Sequence, residues 1–250
     1  MTCKKNIVIT DAASELGHAL ALRFGLKGFR VFALAKNRSE LQALEALSEY
    51  SITTYTADVA KAEAVESAFK QIVDDCGRID VLINNASVIH GPGLIGEQSI
   101  QSIDRVIDTN LKGTMYCTYC AARTMMQHGG GYIINLASSA ALPGFGGHIK
   151  KKAPGGEVFF GDYGASKWGV LGFAEAMQEP LGEHNIYLTT LCPGSIAPSQ
   201  LPNSPRTRGE DIDLNSVVNL IDFLVEQPQG GAQYNSIVMS PPPSGRALAG

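Results

Sequence analysis

Along the chain, short apolar runs alternate with longer stretches whose apolar positions recur every three or four residues. The runs are rich in Val, Ile and Leu and cover residues 6–10, 30–35, 51–57, 81–85, 132–137, 187–192 and 236–239. Near-continuous apolar runs of that length suit strands buried on both faces, as in a parallel sheet. The periodic stretches cover residues 16–27, 40–49, 61–76, 100–128, 163–183 and 214–226. Apolar residues at that spacing line one face of a helix. Strand and helix in regular alternation imply right-handed crossovers. The predicted fold is α/β: a Rossmann-type doubly wound parallel sheet of about seven strands, forming a single domain over residues 1–250.

Two segments break the alternation. Residues 146–158 include the basic, turn-rich run His148-Ile149-Lys150-Lys151-Lys152-Ala153-Pro154-Gly155-Gly156 and read as an inserted flap. Residues 195–215 hold prolines and charges with little periodicity and read as a loop over the substrate. Strand–helix units continue beyond both, so neither is an interdomain linker.

The first strand leads into Thr10-Asp11-Ala12-Ala13-Ser14-Glu15-Leu16-Gly17, which opens the first helix. A strand–turn–helix at the carboxyl edge of such a sheet is where a dinucleotide's diphosphate sits, because the helix N-terminus attracts anions. This turn has one glycine and two acids. Against a phosphate about 5 Å away, a carboxylate at Glu15 costs about 3 kcal/mol at an effective dielectric of about 20. A micromolar ligand has about 8 kcal/mol of binding free energy, so such repulsion weakens binding without abolishing it.

Composition narrows the partners. The 250 residues are 44% hydrophobic and 18% charged, with a net charge of −4. That balance supplies no electrostatic pull toward nucleic acid or an anionic membrane. No apolar stretch is long enough to span a bilayer, and the opening MTCKKNIVIT lacks the apolar region of a signal peptide, so a cytoplasmic location is expected. The five cysteines, odd in number and scattered, argue against a disulfide framework. Cys117 and Cys120 form a CxxC without a second pair or a histidine cluster. They read as thiols in a packed helix, and no metal site is expected.

The chemistry concentrates in Tyr163-Gly164-Ala165-Ser166-Lys167. Residues four apart share a helix face. A free phenol has a pKa of about 10, and lowering it by about three units takes about 4 kcal/mol. One ammonium about 4 Å away supplies that at an effective dielectric of about 20. The spacing therefore suits an acid–base tyrosine. Two more strands deliver polar residues to the same sheet edge: 131–139 ends in Ser138-Ser139, and 81–87 runs into Asn84-Asn85-Ala86-Ser87.

With these pieces in order, the whole chain resembles the short-chain dehydrogenase/reductases, tyrosine-dependent oxidoreductases. The matching parts are the Thr10 turn, Asp58-Val59, Asn84-Asn85-Ala86, Asn110, Ser138, Tyr163 with Lys167, and Pro193-Gly194. The resemblance implies that Tyr163 exchanges a proton with the substrate oxygen and that Ser138 donates a hydrogen bond to it. It implies that Lys167 lowers the tyrosine's pKa and binds the nicotinamide ribose, and that Asn110 holds a water on the proton path. It places the cofactor on Thr10, Ser14, Leu16, Gly17, Asp58, Val59, Asn85, Ala86, Pro193, Gly194 and Ile196, besides Tyr163 and Lys167. The departures are Asp11 and Glu15 for turn glycines, Ser87 for the glycine ending NNAG, and Pro198 for a threonine.

No acid stands near Ala35 to take a ribose hydroxyl, while Lys36 and Arg38 can pair with a 2′-phosphate. NADP(H) is thus favoured over NAD(H). Twenty-five positions separate Ser138 from Tyr163, about twice the usual span in the resembled family, and the surplus is the flap. Its Lys150–Lys152 run is either a recognition site for an acidic substrate or a solvated loop. His90, His148, Phe159 and Phe160 are candidate pocket residues. The expected activity is hydride transfer between NADP(H) and a small carbonyl or alcohol. The alternatives are a non-catalytic sensor or scaffold with weakened cofactor binding, and a lyase or epimerase. The resemblance also implies a homo-dimer or homo-tetramer, formed through the helices at 100–128 and 163–183.

Overall fold

The computed structural model describes residues 4–46, 50–89, 99–143, 151–153, 156–158, 161–197, 211–227 and 231–241. Seven strands form one parallel sheet: Asn6–Thr10 (β1), Arg30–Ala35 (β2), Ile52–Thr56 (β3), Val81–Asn84 (β4), Gly131–Leu136 (β5), Ile186–Pro193 (β8) and Ser236–Met239 (β11). Two small pairs lie outside it: Lys151–Ala153 (β6) with Gly156–Val158 (β7), and Ile196–Ala197 (β9) with Ile212–Asp213 (β10). The large sheet runs β11-β8-β5-β4-β1-β2-β3. The chain enters at β1, steps outward to β3, then returns to β4 on β1's other side. That reversal opens a crevice at the carboxyl ends of β1 and β4.

The helices are Glu15–Leu26 (α1), Arg38–Glu45 (α2), Ala62–Cys76 (α3), Ile100–Val106 (α4), Gly113–Gln127 (α5), Gly161–Gly182 (α6) and Leu214–Glu226 (α7). They cover both faces of the sheet. Strand side chains alternate between two cores: Ile7, Ile9 and Ile83 pack with Leu20 and Phe24 of α1, Leu41 of α2 and Val217 of α7. Val8, Leu82 and Ile133 pack with Phe69 of α3, Cys117 of α5 and Ala174 of α6. Burial on both faces explains the unbroken apolar runs of the sequence.

Three expectations need correction. The helix foreseen over 100–128 is interrupted: Ile107–Lys112 is π-helical, between α4 and α5. A π-turn frees a backbone carbonyl, and here the Asn110 carbonyl accepts from Thr114 Oγ1 at 2.8 Å. The flap foreseen as a loop contains the antiparallel pair β6–β7. The 195–215 loop is tied at its two ends by the β9–β10 pair, with the Ile212 N–H also donating to the Ser195 carbonyl at 2.7 Å. Among the described residues no helix is long and apolar enough to cross a membrane.

Candidate active site

The first turn is laced to β4 by buried polar groups. Thr10 Oγ1 accepts the N–H groups of Asn85 and Ala86, each at 3.0 Å. In return, Asn85 Nδ2 donates to the carbonyls of Thr10 and Asp11 and to Ser14 Oγ, all at 3.0 Å. Ser14 caps α1, its hydroxyl accepting from the Gly17 N–H at 3.2 Å. Gly17 has no room for a side chain, since a Cβ there would stand 2.3 Å from the Asp11 carbonyl oxygen. Leu16 packs on the core beneath α1.

Asp11 occupies the first glycine position with φ of 50°, the left-handed region. Its carboxyl is pushed up to about 6, first by burial and then by the neighbouring Glu40 carboxylate, against a lowering hydrogen bond with Ser14. Glu15 is exposed and does not line the crevice. Of the two acids in the turn, Asp11 lines the crevice.

A crevice at the carboxyl ends of β1, β2, β3 and β4 is lined by residues that follow each of those strands. Val59, Ala86, Ala35 and Ala57 give it apolar walls, and Lys36 and Asp58 stand at its polar side. Lys36 Nζ lies 2.9 Å from Asp58 Oδ2. Burial raises the Asp58 carboxyl, but the Lys36 ammonium and the Ala60 N–H hold it below the usual range overall. Arg38 does not line the crevice; its guanidinium is 3.9 Å from Glu45 and largely exposed. Arg105 of α4 lines it instead, together with Glu40. Neither carried a signal in the sequence.

Beyond β4 stands the proposed acid–base group. Tyr163, in the first turn of α6, faces the hydroxyls of Ser138, just past β5, and Ser87, just past β4. Burial raises the phenol above its ordinary value, and these two hydroxyls pull it back part of the way. Lys167 is buried with 2% exposure, and burial lowers its ammonium to about 8. Its Nζ donates to the Leu136 carbonyl at 2.8 Å and sits 5.6 Å from the centre of the Tyr163 ring. In the free protein, then, the phenol's acidity is governed by burial and hydroxyls, where the sequence had pointed to the ammonium.

Asn110, fully buried in the π-helical stretch, ties the site together. Its Oδ1 accepts from the Val88 N–H at 2.7 Å. Its Nδ2 donates to the Val88 carbonyl at 2.9 Å and to Ser166 Oγ at 3.0 Å. Ser166 in turn donates to the Tyr163 carbonyl at 2.7 Å. Pro193 ends β8 beside Met239, the Gly194 N–H donates to the Met239 carbonyl at 2.9 Å, and Ile196 pairs with Ile212. None of these three lines the β1–β4 crevice. Pro198, His90, His148, Lys150, Phe159 and Phe160 lie outside the described residues. Cys117 is buried and its thiol pushed up by burial, as for a packing residue, and no metal-holding cluster occurs among the described residues.

Comparison with known proteins fits this geometry. A family model described as short chain dehydrogenase matches residues 5–208. A D-threitol dehydrogenase of Mycolicibacterium smegmatis is 31% identical over 193 residues, covering 76% of this chain and 69% of that one. Two solved structures share the fold: ElxO with NADP bound, at a TM-score of 0.81 and 24% identity over 95% of this chain and 97% of that one, and NAD+-bound xylitol dehydrogenase, at 0.81 and 23% over 94% and 97%.

Proposed function

The chain belongs to the short-chain dehydrogenase family, and from that footing we propose that it is an oxidoreductase moving a hydride between NADP(H) and a small carbonyl or alcohol. The observation that carries the reading is Tyr163 facing the Ser138 hydroxyl at the carboxyl edge of the sheet, with Lys167 buried one helical turn on and its ammonium 5.6 Å from the Tyr163 ring centre.

The residues present fit a dinucleotide. The small side chains of Ala35, Ala57 and Ala86 leave a slot with apolar walls, and the Gly17 contact keeps the first turn tight against α1. Thr10, Ser14, Leu16, Gly17, Asp58, Val59, Asn85 and Ala86 would hold the adenosine and diphosphate, and Pro193, Gly194 and Ile196 the nicotinamide end. When bound, the cofactor supplies or accepts the hydride. Tyr163 gives its proton to the substrate oxygen during reduction and takes it back during oxidation. Ser138 donates a hydrogen bond to that same oxygen, which matters most as negative charge gathers there. Lys167, buried against the Tyr163 ring, would bind the nicotinamide ribose hydroxyls. Asn110 fixes the β4 loop against α6.

NADP(H) is assigned on Lys36 and Arg38. Lys36 must exchange Asp58 for a 2′-phosphate, and Arg38 must swing inward from Glu45. The Asp11–Glu40 pair in the crevice supports the second reading, NAD(H), because carboxylates accept ribose hydroxyls and repel a phosphate. Calorimetric titration of the full chain with NADPH and NADH separates the two. Tighter NADPH binding supports the first, tighter NADH the second, and binding of neither removes the oxidoreductase reading. We also assign the chain to the cytoplasm as a homo-dimer or homo-tetramer.

A further inference from the structure

We propose that Gly113 is a positioning residue for the cofactor's adenine ring: with no side chain of its own, it lets Val59 sit back and keeps the adenine slot open. The inference deepens, and rests on, the reading of the crevice as a dinucleotide site. Val59 is buried, with 7% exposure, and lines that crevice with Ala35, Ala57 and Ala86. Gly113, the first residue of α5, is buried against Val59 and does not itself line the crevice. A Cβ on Gly113 would stand 2.9 Å from Val59 Cγ2 and 3.1 Å from both Val59 Cβ and the Val59 carbonyl oxygen. Carbon atoms in good contact keep about 3.5–4.0 Å apart, so an added methyl group forces Val59 to move.

The backbone does not call for glycine at this position. Gly113 has φ of −59° and ψ of −44°, ordinary helical angles that any residue adopts. Glycine inside a helix also costs stability relative to alanine. The feature that requires it is the close approach of Val59. Neither partner can retreat freely. The Ala57 N–H donates to the Ala35 carbonyl at 2.9 Å, ahead of Val59. The Asp58 carbonyl accepts from the Lys61 N–H and its carboxylate from the Ala60 N–H, each at 3.0 Å. On the helix side, Thr114 Oγ1 donates to the Asn110 carbonyl at 2.8 Å, and the Asn110 amide is bound to Val88 and Ser166. A side chain at this position therefore drives Val59 toward the slot. The other apolar walls are alanines, with nothing to yield.

The test is calorimetric titration of the full chain with NADPH and NADH, continued with whichever binds the parent more tightly. Gly113→Ala should bind it about tenfold more weakly, the scale of one added methyl group in a tight site. The penalty should shrink to less than about threefold when Gly113→Ala is combined with Val59→Ala and compared with Val59→Ala alone. A merely structural role for Gly113 leaves the penalty the same in both backgrounds. Equal binding by the parent and Gly113→Ala overturns the proposal, as does an undiminished penalty beside Val59→Ala. Should Gly113→Ala alone fail to fold, the double variant decides. A folded double variant that binds like Val59→Ala supports the proposal, and one that does not fold, or binds less well, overturns it. Binding of neither dinucleotide by the parent removes the oxidoreductase reading and this proposal with it, a result distinct from the others.

Discussion

Lys167 holds its ammonium 5.6 Å from the centre of the Tyr163 ring and donates it to the Leu136 carbonyl at 2.8 Å, so the charge lies beside the ring and not at the phenol oxygen. The phenol stays protonated at neutral pH in the free protein, raised by burial. A protonated Tyr163 is the form that donates to a carbonyl oxygen, and a deprotonated one is the form that accepts from an alcohol. Turnover in the oxidation direction should therefore climb with pH across the alkaline range, while reduction holds steady or declines. Initial rates in both directions against pH check this; parallel profiles would contradict it.

Burial lowers Lys167 from 10.5 to about 8. A base with a depressed folded pKa penalises the folded state wherever it must carry its charge. The penalty is fully present below about pH 8 and fades as pH rises toward 10.5. The shift corresponds to roughly 3 kcal/mol. Urea unfolding across that window should show the parent gaining stability relative to Lys167→Met, with the gap moving by an amount of that order. A constant gap would mean that the amine is not charged and buried at neutrality.

Asp11 has the opposite sign. An acid raised to about 6 from 3.8 destabilises the fold, or a bound anion, above about pH 6, and this is relieved as pH falls toward 3.8. A charged Asp11 about 10 Å from a phosphate repels it by about 1.7 kcal/mol at an effective dielectric of about 20, near twentyfold in affinity. Dinucleotide binding measured by calorimetry should tighten by up to that factor from pH 7.5 to pH 5.5 in the parent (both values chosen to straddle the acid's midpoint of about 6). Asp11→Asn should bind tightly at both values. Glu40, Asp58, Lys36 and Arg105 share the crevice, and they are unchanged in that comparison.

Asn85 joins the first turn to β4 through three donations at 3.0 Å. Asn85→Ala leaves the Thr10 and Asp11 carbonyls without that donor. The expected loss is about 2–3 kcal/mol of unfolding free energy, at about 1 kcal/mol for each bond. Denaturant unfolding reads it directly, and a loss under about 0.5 kcal/mol would show that the lacing is incidental.

Much of this was legible in the sequence, and the exceptions have physical causes. β1, β2, β4, β5 and β8 stood out because strands buried on both faces must be almost wholly apolar. Tyr163 and Lys167 were found by their shared helix face, but a face says nothing about direction, and the Leu136 carbonyl decides where the ammonium goes. The π-helical stretch at Ile107–Lys112 was invisible because one wider turn barely alters apolar spacing. Arg105 and Glu40 enter the crevice by tertiary placement alone.

Ile100 and Ile103 of α4, Tyr119 and Met126 of α5 and Trp168 of α6 are apolar and exposed. Light scattering should report a dimer or tetramer for the parent. Trp168→Glu, which places a charge on that face, should shift the mass toward the monomer. A monomeric parent would contradict the proposed assembly.

The central claim is settled most directly by following reduced-nicotinamide consumption with a carbonyl substrate that the parent turns over, beside Tyr163→Phe. The account predicts a loss of at least about a hundredfold in the variant, the scale of a removed acid–base group. Turnover by Tyr163→Phe at the parent's rate would contradict it.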